Sequence, residues 1–140
     1  MALLDERGLP IVREIARIAH SVASPSVKLE GALEILFGAY GGGGPDFSGL
    51  LLSGWMRAQE DKHVRLTLAW HREQVRLCLE EILAEGLAQG TVRADLDPGA
   101  VAAVIMGAAE GCLLQTATDG GPITAGELAR AVLRLAFTGA

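Results

Sequence analysis

Apolar residues recur along the chain at intervals of three and four, the spacing typical of an amphipathic helix. The longest such run covers residues 61–89. Gly90 stands just beyond it, where a left-handed residue closes a helix without a Cβ clash. Asp97 and Pro98 then pair a capping side chain with a residue whose φ is already helical. The pattern therefore predicts that one helix ends near Gln89 and the next begins at Pro98.

The same criteria divide the whole chain into helices, and no alternating pattern typical of strands competes with them. Glycine and proline clusters separate the helices, often beside a serine, threonine or aspartate that can cap a helix. The predicted helices cover about residues 9–23, 25–40, 47–59, 61–89, 98–118 and 124–138, and the pattern also allows an earlier start for the first helix. The sequence thus predicts an all-α fold, a bundle of about six helices in one domain over residues 1–140.

The helix predicted at 98–118 has few large side chains. Small residues are interspersed with aliphatic ones, and a rotation of about 100° per residue places some of them on one narrow stripe. The stripe consists of Ala100, Val104, Gly107, Gly111 and Leu114. Small residues let backbones approach closely, so we expect another helix against the stripe. That helix belongs either to the core of the same chain or to a second subunit.

A set of spaced residues surrounds this helix. An acidic residue and two glycines precede Val-Arg-x-Asp-x-Asp-Pro, and the alanine-rich helix ends in Glu-Gly-x-Leu-Leu-Gln. The matching residues are Glu85, Gly86, Gly90, Val92, Arg93, Asp95, Asp97, Pro98, Glu110, Gly111, Leu113, Leu114 and Gln115. This pattern resembles the C-terminal regulatory domain of tetracycline-repressor (TetR) family transcription regulators, and the resemblance extends over residues 50–138.

The resemblance implies a homodimer in which the last two long helices of each subunit form a four-helix bundle. The dimer-interface residues it implies are Val104, Gly107, Gly111, Leu114, Leu128, Val132 and Leu135. The helices before them are expected to enclose a pocket for a small, largely apolar effector. The implied function is ligand sensing and dimerisation in a transcriptional repressor. The alternative is a head-less helical protein that heterodimerises with TetR-like regulators.

Regulators of this family begin with a three-helix DNA-binding head that contains a helix-turn-helix. Residues 9–40 lack the short turn and the basic recognition helix that such a head needs. We therefore expect no direct nucleic-acid contact from this segment. The chain is then either part of a longer regulator or a head-less relative.

Charge and composition agree with a soluble, dimeric domain. The 140 residues carry 12 lysines and arginines against 17 acidic residues, a net charge of -5, and the basic residues are dispersed. Duplex binding draws on clustered basic residues, which argues against DNA contact. Charged residues make up 21% of the chain, below the usual figure of about a quarter, so another subunit is expected to cover apolar surface.

Location is inferred from the cysteines and from the absence of targeting signals. Cys78 and Cys112 form neither a disulfide framework nor a zinc site, which favours reduced thiols and a cytoplasmic location. The N-terminal residues have no signal-peptide pattern. Residues 98–118 contain Glu110 and have acidic flanks, so no membrane span is predicted.

Large, adaptable side chains with few polar groups suit an apolar ligand pocket. Trp55, Met56 and Trp70 are the first candidates, although both tryptophans also fit a core. The remaining ligand-binding candidates are His71, Met106 and Glu110. A buried carboxylate needs a partner, so Glu110 is expected to meet Arg130 or Arg134, a partner subunit or a cationic ligand. We favour an ion pair with the last helix.

No catalytic site is predicted. The three histidines do not have the spacing of a metal motif, and the serines lack the Gly-x-Ser-x-Gly context of a nucleophile. No acid, base, nucleophile and orienting group converge in the sequence. We therefore expect no enzyme activity, no metal and no cofactor.

Overall fold

The computed structural model describes residues 2–41, 47–116, 118 and 124–138. They form the helices α1 (Ala2–Ala19), α2 (Pro25–Tyr40), α3 (Phe47–Ala58), α4 (Lys62–Gln89), α5 (Pro98–Thr116) and α6 (Ala125–Ala136). The prediction of an all-α, multi-helix bundle is confirmed. Within the described ranges, β pairing is limited to one isolated bridge between Val92 and Phe137.

The helix termini are set by local capping groups. The Asp61 carboxylate accepts hydrogen bonds from the backbone N–H groups of His63 (2.9 Å) and Val64 (3.2 Å) at the start of α4. Gly90 ends that helix in the left-handed region, with φ of 77°. Thr124 Oγ1 accepts from the Glu127 N–H at the start of α6. The predicted helices at 98–118 and 124–138 extend past the observed helix ends, and residue 117 lies outside the described residues.

The observed α1 covers Ala2–Ala19, so the predicted end at residue 23 is wrong, and the helix begins before residue 9, the alternative that the sequence left open. Pro10 lies inside the helix, although its missing N–H suggested a first turn. The earlier start has a tertiary cause. Leu4 is 3% exposed and packs with Phe47, Leu51 and other residues in a small apolar cluster, which stabilises the first turns of α1.

The main core lies where α2, α4 and α5 pack together, with α1 and α6 against its outer sides. Its largest side chains are fully buried and mostly aliphatic, as the composition requires. They include Ile15, Leu29, Leu33, Leu36, Phe37, Leu79, Ile82, Leu83, Ile105 and Met106. Helix α6 packs chiefly on α2, whereas α5 packs chiefly on α4.

One buried cation links three helices. Lys28 of α2 is 4% exposed. Its Nζ donates to the Ala19 carbonyl at the end of α1 (3.0 Å) and to Glu85 Oε2 of α4 (2.8 Å). Because a buried charge is tolerated only with partners of this kind, Lys28 holds the end of α1 against α4.

Candidate functional site

A cavity of about 350 Å³ lies between α2, α3, α4 and α5, a volume in the range of small-molecule sites. Its wall is partly apolar and partly polar, with contributions from all four helices. It is lined by Tyr40, Leu51, Trp55, Ala58, Gln59, Arg65, Leu68, Ala69, His71, Arg72 and Glu110.

An ion pair between α4 and α5 crosses the cavity wall. Arg72 Nε lies 2.9 Å from Glu110 Oε2, and Arg72 Nη2 donates to Glu110 Oε1 at 3.4 Å. The Glu110 side chain is only 20% exposed. The expected pairing with Arg130 or Arg134 is therefore wrong. Helix α4 packs directly on α5, whereas α6 packs chiefly on α2.

Tyr40 brings a hydroxyl to the cavity from the end of α2. Burial raises the pKa of Tyr40 to about 12, and the negative charge of Glu110 adds to the shift. The phenol is therefore protonated at neutral pH and available as a hydrogen-bond donor. Its ring packs edge-on against Phe47, with the ring centroids 6.4 Å apart.

His71 lies between the cavity and α1. Its Nε2 is 3.1 Å from Asp5 Oδ1, but the angle does not make a hydrogen bond, so Nε2 has no hydrogen-bond partner among the described residues. Gly8 of α1 lies against the imidazole, where a Cβ would be 2.7 Å from Nδ1. The imidazole thus fills the space between α1 and the cavity.

Arg65 lies at the edge of the cavity, on the same face of α4 as Leu68 and Arg72. Its Nη1 donates to the Ala58 carbonyl at the end of α3 (2.9 Å). Sequence reasoning missed Arg65, Arg72 and Tyr40. The two arginines are separated by seven residues, a spacing that returns to the same helix face and could have identified them.

The structure brings Trp55, His71 and Glu110 together at the cavity, and it places the other candidates elsewhere. Met56 is 71% exposed and Trp70 is 49% exposed, while Met106 is fully buried in the main core. Adjacent helix residues differ by about 100° in direction, so Met56 points away from the cavity that Trp55 lines. Trp70 instead borders a separate depression with Asp5, His63, Leu66 and Thr67.

The small-residue stripe of α5 is exposed and does not face a helix of the same chain. Val104 and Leu114 are 70% and 55% exposed, and Leu135 of α6 is 68% exposed. A Cβ built on Gly107 or Gly111 would meet no heavy atom outside its own helix turns within 4 Å. The intrachain alternative for the stripe is therefore wrong within the described residues.

We call this exposed surface the outer face. It comprises Val104, Gly107, Gly111 and Leu114 of α5 with Leu135 of α6, and the half-buried Val132 lies beside it. An apolar groove of about 190 Å³ between α5 and α6 adjoins it, lined by Val104, Val132, Leu135 and neighbouring aliphatic residues. Leu128 lies deeper and packs partly against the main core. Helix α5 is apolar enough to satisfy a membrane-span criterion, but core helices of bundles satisfy it too.

Comparison with known proteins agrees with this architecture. A crystal structure of a TetR/AcrR-family transcriptional regulator from Thermobifida fusca YX-ER1 is similar to the chain, with a TM-score of 0.66 and 17% sequence identity. The match covers 99% of this chain and 70% of that one. At this identity the likeness concerns the fold. No curated protein matches the sequence.

A family model identifies the chain more specifically. The model describes the C-terminal domain of BetI-type transcriptional repressors and matches residues 25–137, well over half of the 140 residues. The matched range begins at α2 and runs through the bridge residue Phe137. The chain therefore belongs to the family of BetI-type repressor C-terminal domains, and it is a regulatory domain of the TetR type.

Proposed function

We propose that the chain is the effector-sensing and dimerisation domain of a cytoplasmic TetR-type repressor. A small molecule occupies the cavity, and α5 and α6 pair with those of a second copy. One observation carries this proposal: α5 borders the cavity through Glu110 and the outer face through Gly111, the next residue. A ligand that moves α5 therefore acts directly on the surface assigned to the dimer.

The outer face supports the dimer half of the proposal. Large exposed side chains such as Val104 and Leu135 are costly to leave in water when they are contiguous. The open space above Gly107 and Gly111 lets a second helix approach closely. TetR-family domains typically act as dimers with small-molecule effectors.

The cavity supports the sensing half. Its ion pair between Arg72 and Glu110 joins α4 to α5 across the wall. A ligand that competes for either side chain shifts the packing of the two helices, and it favours the dimer arrangement to which it binds better. In this proposal DNA contact belongs to a helix-turn-helix head and not to the helices described here. The family is not enzymatic.

The first experiment measures the mass of the purified chain by light scattering over a range of concentrations. We expect a dimer of twice 14.6 kDa, and we expect the double variant Val104→Asp/Leu135→Asp to be monomeric. Leu66→Asp is the matched control, since Leu66 is 55% exposed on α4 and lies off the outer face. A monomer at every concentration would refute the dimer half.

The sensing half is tested by the emission of Trp55 in a Trp70→Phe background. A mixed set of small acids, amines and neutral aromatics is screened for saturable changes. Ala69→Phe adds an aromatic ring at a position that lines the cavity and should abolish any response, whereas Ala84→Phe, at an exposed position of the same helix away from the cavity, should retain it. A response that survives Ala69→Phe would place binding outside the cavity.

A further inference from the structure

Positive charges outnumber negative charges among the side chains that line the cavity. Among the residues that line it, the charged side chains are Arg65, Arg72 and Glu110. Both carboxylate oxygens of Glu110 already contact Arg72. Within the described residues, no carboxylate lies within the 4.0 Å ion-pair distance of Arg65. Among the described residues, the wall therefore carries one positive charge without a carboxylate partner, in a chain whose net charge is -5.

Among the hydrogen-bonding groups of the cavity, donors outnumber acceptors, just as positive charges outnumber negative ones. A guanidinium has five N–H donors and no acceptor, and Arg65 uses Nη1 for the Ala58 carbonyl. Tyr40 keeps its phenolic proton at neutral pH, because burial raises its pKa to about 12. The carboxylate acceptors of Glu110 are occupied. Gln59, which also lines the cavity, adds one amide acceptor and two N–H donors. The cavity therefore still offers more free donors than free acceptors, which suits a ligand that presents oxygen acceptors.

The rest of the wall is apolar and limits the size of the ligand. Leu51, Trp55 and Leu68 form surfaces against which a hydrocarbon or aromatic body can pack. A volume of about 350 Å³ equals roughly a dozen water molecules at about 30 Å³ each. The ligand that fits is thus a compact molecule with one polar end.

We propose that the cavity binds a small organic carboxylate, with its anionic group at Arg65 and its apolar body against Trp55 and Leu68. The assignment rests on the proposed function, because it takes the cavity as the effector site. It argues against a cationic ligand at Glu110, one of the alternatives considered for that carboxylate. A cation there would have to displace Arg72, and the bidentate pair would be lost.

The test compares three probes that share one body and differ in charge: 4-phenylbutyrate, 4-phenylbutyramide and 4-phenylbutylamine. Binding is followed by Trp55 emission in the Trp70→Phe background and by calorimetry at neutral pH. We expect the acid to bind about tenfold more tightly than the amide, from one added charge-assisted contact at a partly exposed arginine. The amine should bind most weakly.

Two matched variants locate the preference. Arg65→Gln should bring the acid and the amide to equal affinity, while Arg65→Lys should keep part of the difference. Lys62→Gln removes the same charge from α4 one turn earlier, outside the cavity, and should leave the preference unchanged. Equal affinities in the parent protein, tightest binding of the amine, or a preference that survives Arg65→Gln would overturn the proposal.

The outcomes separate this proposal from the proposed function. If the three probes fail at millimolar concentration but another compound gives a response that Ala69→Phe abolishes, the cavity is a sensor and the carboxylate assignment is wrong. If neither the probes nor the mixed set gives a cavity-dependent response, both proposals fail. Circular dichroism of Arg65→Gln should match that of the parent, since Arg65 is exposed.

Discussion

The cavity wall and the outer face contrast in polarity. The half-open cavity is lined by two arginines, a glutamate, a histidine and a tyrosine beside its apolar residues, whereas the solvent-exposed outer face carries aliphatic side chains and glycines. Buried polar groups require partners, and large exposed apolar surfaces indicate contact sites. In our proposal each region therefore takes a different partner, a ligand for the cavity and a subunit for the outer face.

Glycine has opposite roles in the two regions. Gly8 lets α1 pack directly on the His71 imidazole, with no room for a Cβ. Gly107 and Gly111 instead leave open space above α5. The contact between α1 and His71 beside the cavity is thus closely packed, whereas the outer face is open to an incoming helix.

The largest expected effect follows from filling the open space. Gly107→Leu or Gly111→Leu should raise the dimer dissociation constant by at least about a hundredfold, since a bulky side chain at a close helix crossing forces the subunits apart. The fold of each chain should survive, because leucine favours the helix over glycine by about 0.5–1 kcal/mol. Sedimentation equilibrium measures the dimer. Gly49→Leu, at an exposed and open position of α3, is the control, and unchanged dimers in both variants would contradict the outer-face assignment.

The next largest effect is expected at the close contact between Gly8 and the His71 imidazole. Gly8→Ala should lower the free energy of unfolding by about 1–2 kcal/mol, because the added methyl group overpacks the His71 ring. Gly38→Ala in α2, where a Cβ meets nothing within 4 Å, should instead stabilise by up to about 1 kcal/mol through helix propensity. Urea unfolding at matched protein concentration compares them. Equal changes in the free energy of unfolding for the two variants would show that the His71 imidazole shifts to admit the methyl group at no cost.

A smaller effect is expected for the ion pair in the cavity wall. Arg72→Gln leaves Glu110 largely buried without its cation and should cost about 1 kcal/mol, a modest value because the Arg72 side chain is 55% exposed. Glu110→Gln should cost less, and the double variant should be less destabilised than the sum of the two. Thermal unfolding of all three gives the coupling. Additive losses would mean that the pair contributes nothing to the wall.

The smallest effect at neutral pH concerns Tyr40. Its contribution to the free energy of unfolding changes only in alkaline solution. The pKa of Tyr40 rises from 10.0 to about 12 on folding, chiefly through burial. The unfolded chain therefore loses this proton first, so the contribution is complete below pH 10 and is lost as the pH rises towards 12. The stability of the parent relative to Tyr40→Phe should be constant below pH 10 and then fall by up to roughly 2–3 kcal/mol as the pH approaches 12. A difference that stays flat to pH 12 would contradict the burial of the phenol.

The helices with local signals were predicted well from the sequence. Asp61, Gly90 and Thr124 act within one turn of their own helix ends, so the termini of α4 and the start of α6 follow from residues nearby in the chain. Helix α1 was predicted poorly, because Leu4 is held by α3 and α5 residues far away in sequence. The expectation that Pro10 stands in the first turn of a helix uses only neighbouring residues, so it cannot take that contact into account.

The site was predicted only in part for a related reason. Periodicity identifies which residues share a helix face, but it does not distinguish a face that borders a cavity from one that borders the core. Met106 and Glu110 are one helix turn apart on α5, yet Met106 packs in the core and Glu110 lines the cavity. The pairing of Glu110 with Arg72 depends on α4 crossing α5, which no single helix encodes.

By itself, the sequence determined the all-α class, the positions of most helices and the existence of a small-residue stripe on α5, because these depend on interactions within a few residues. Only the tertiary structure decided that the stripe is exposed and that the cavity joins Arg65, Arg72, Tyr40 and Glu110. Those results depend on how the helices pack around one another. The packing is set by the combined burial of side chains from all six helices, and a residue's neighbours in the chain do not specify it.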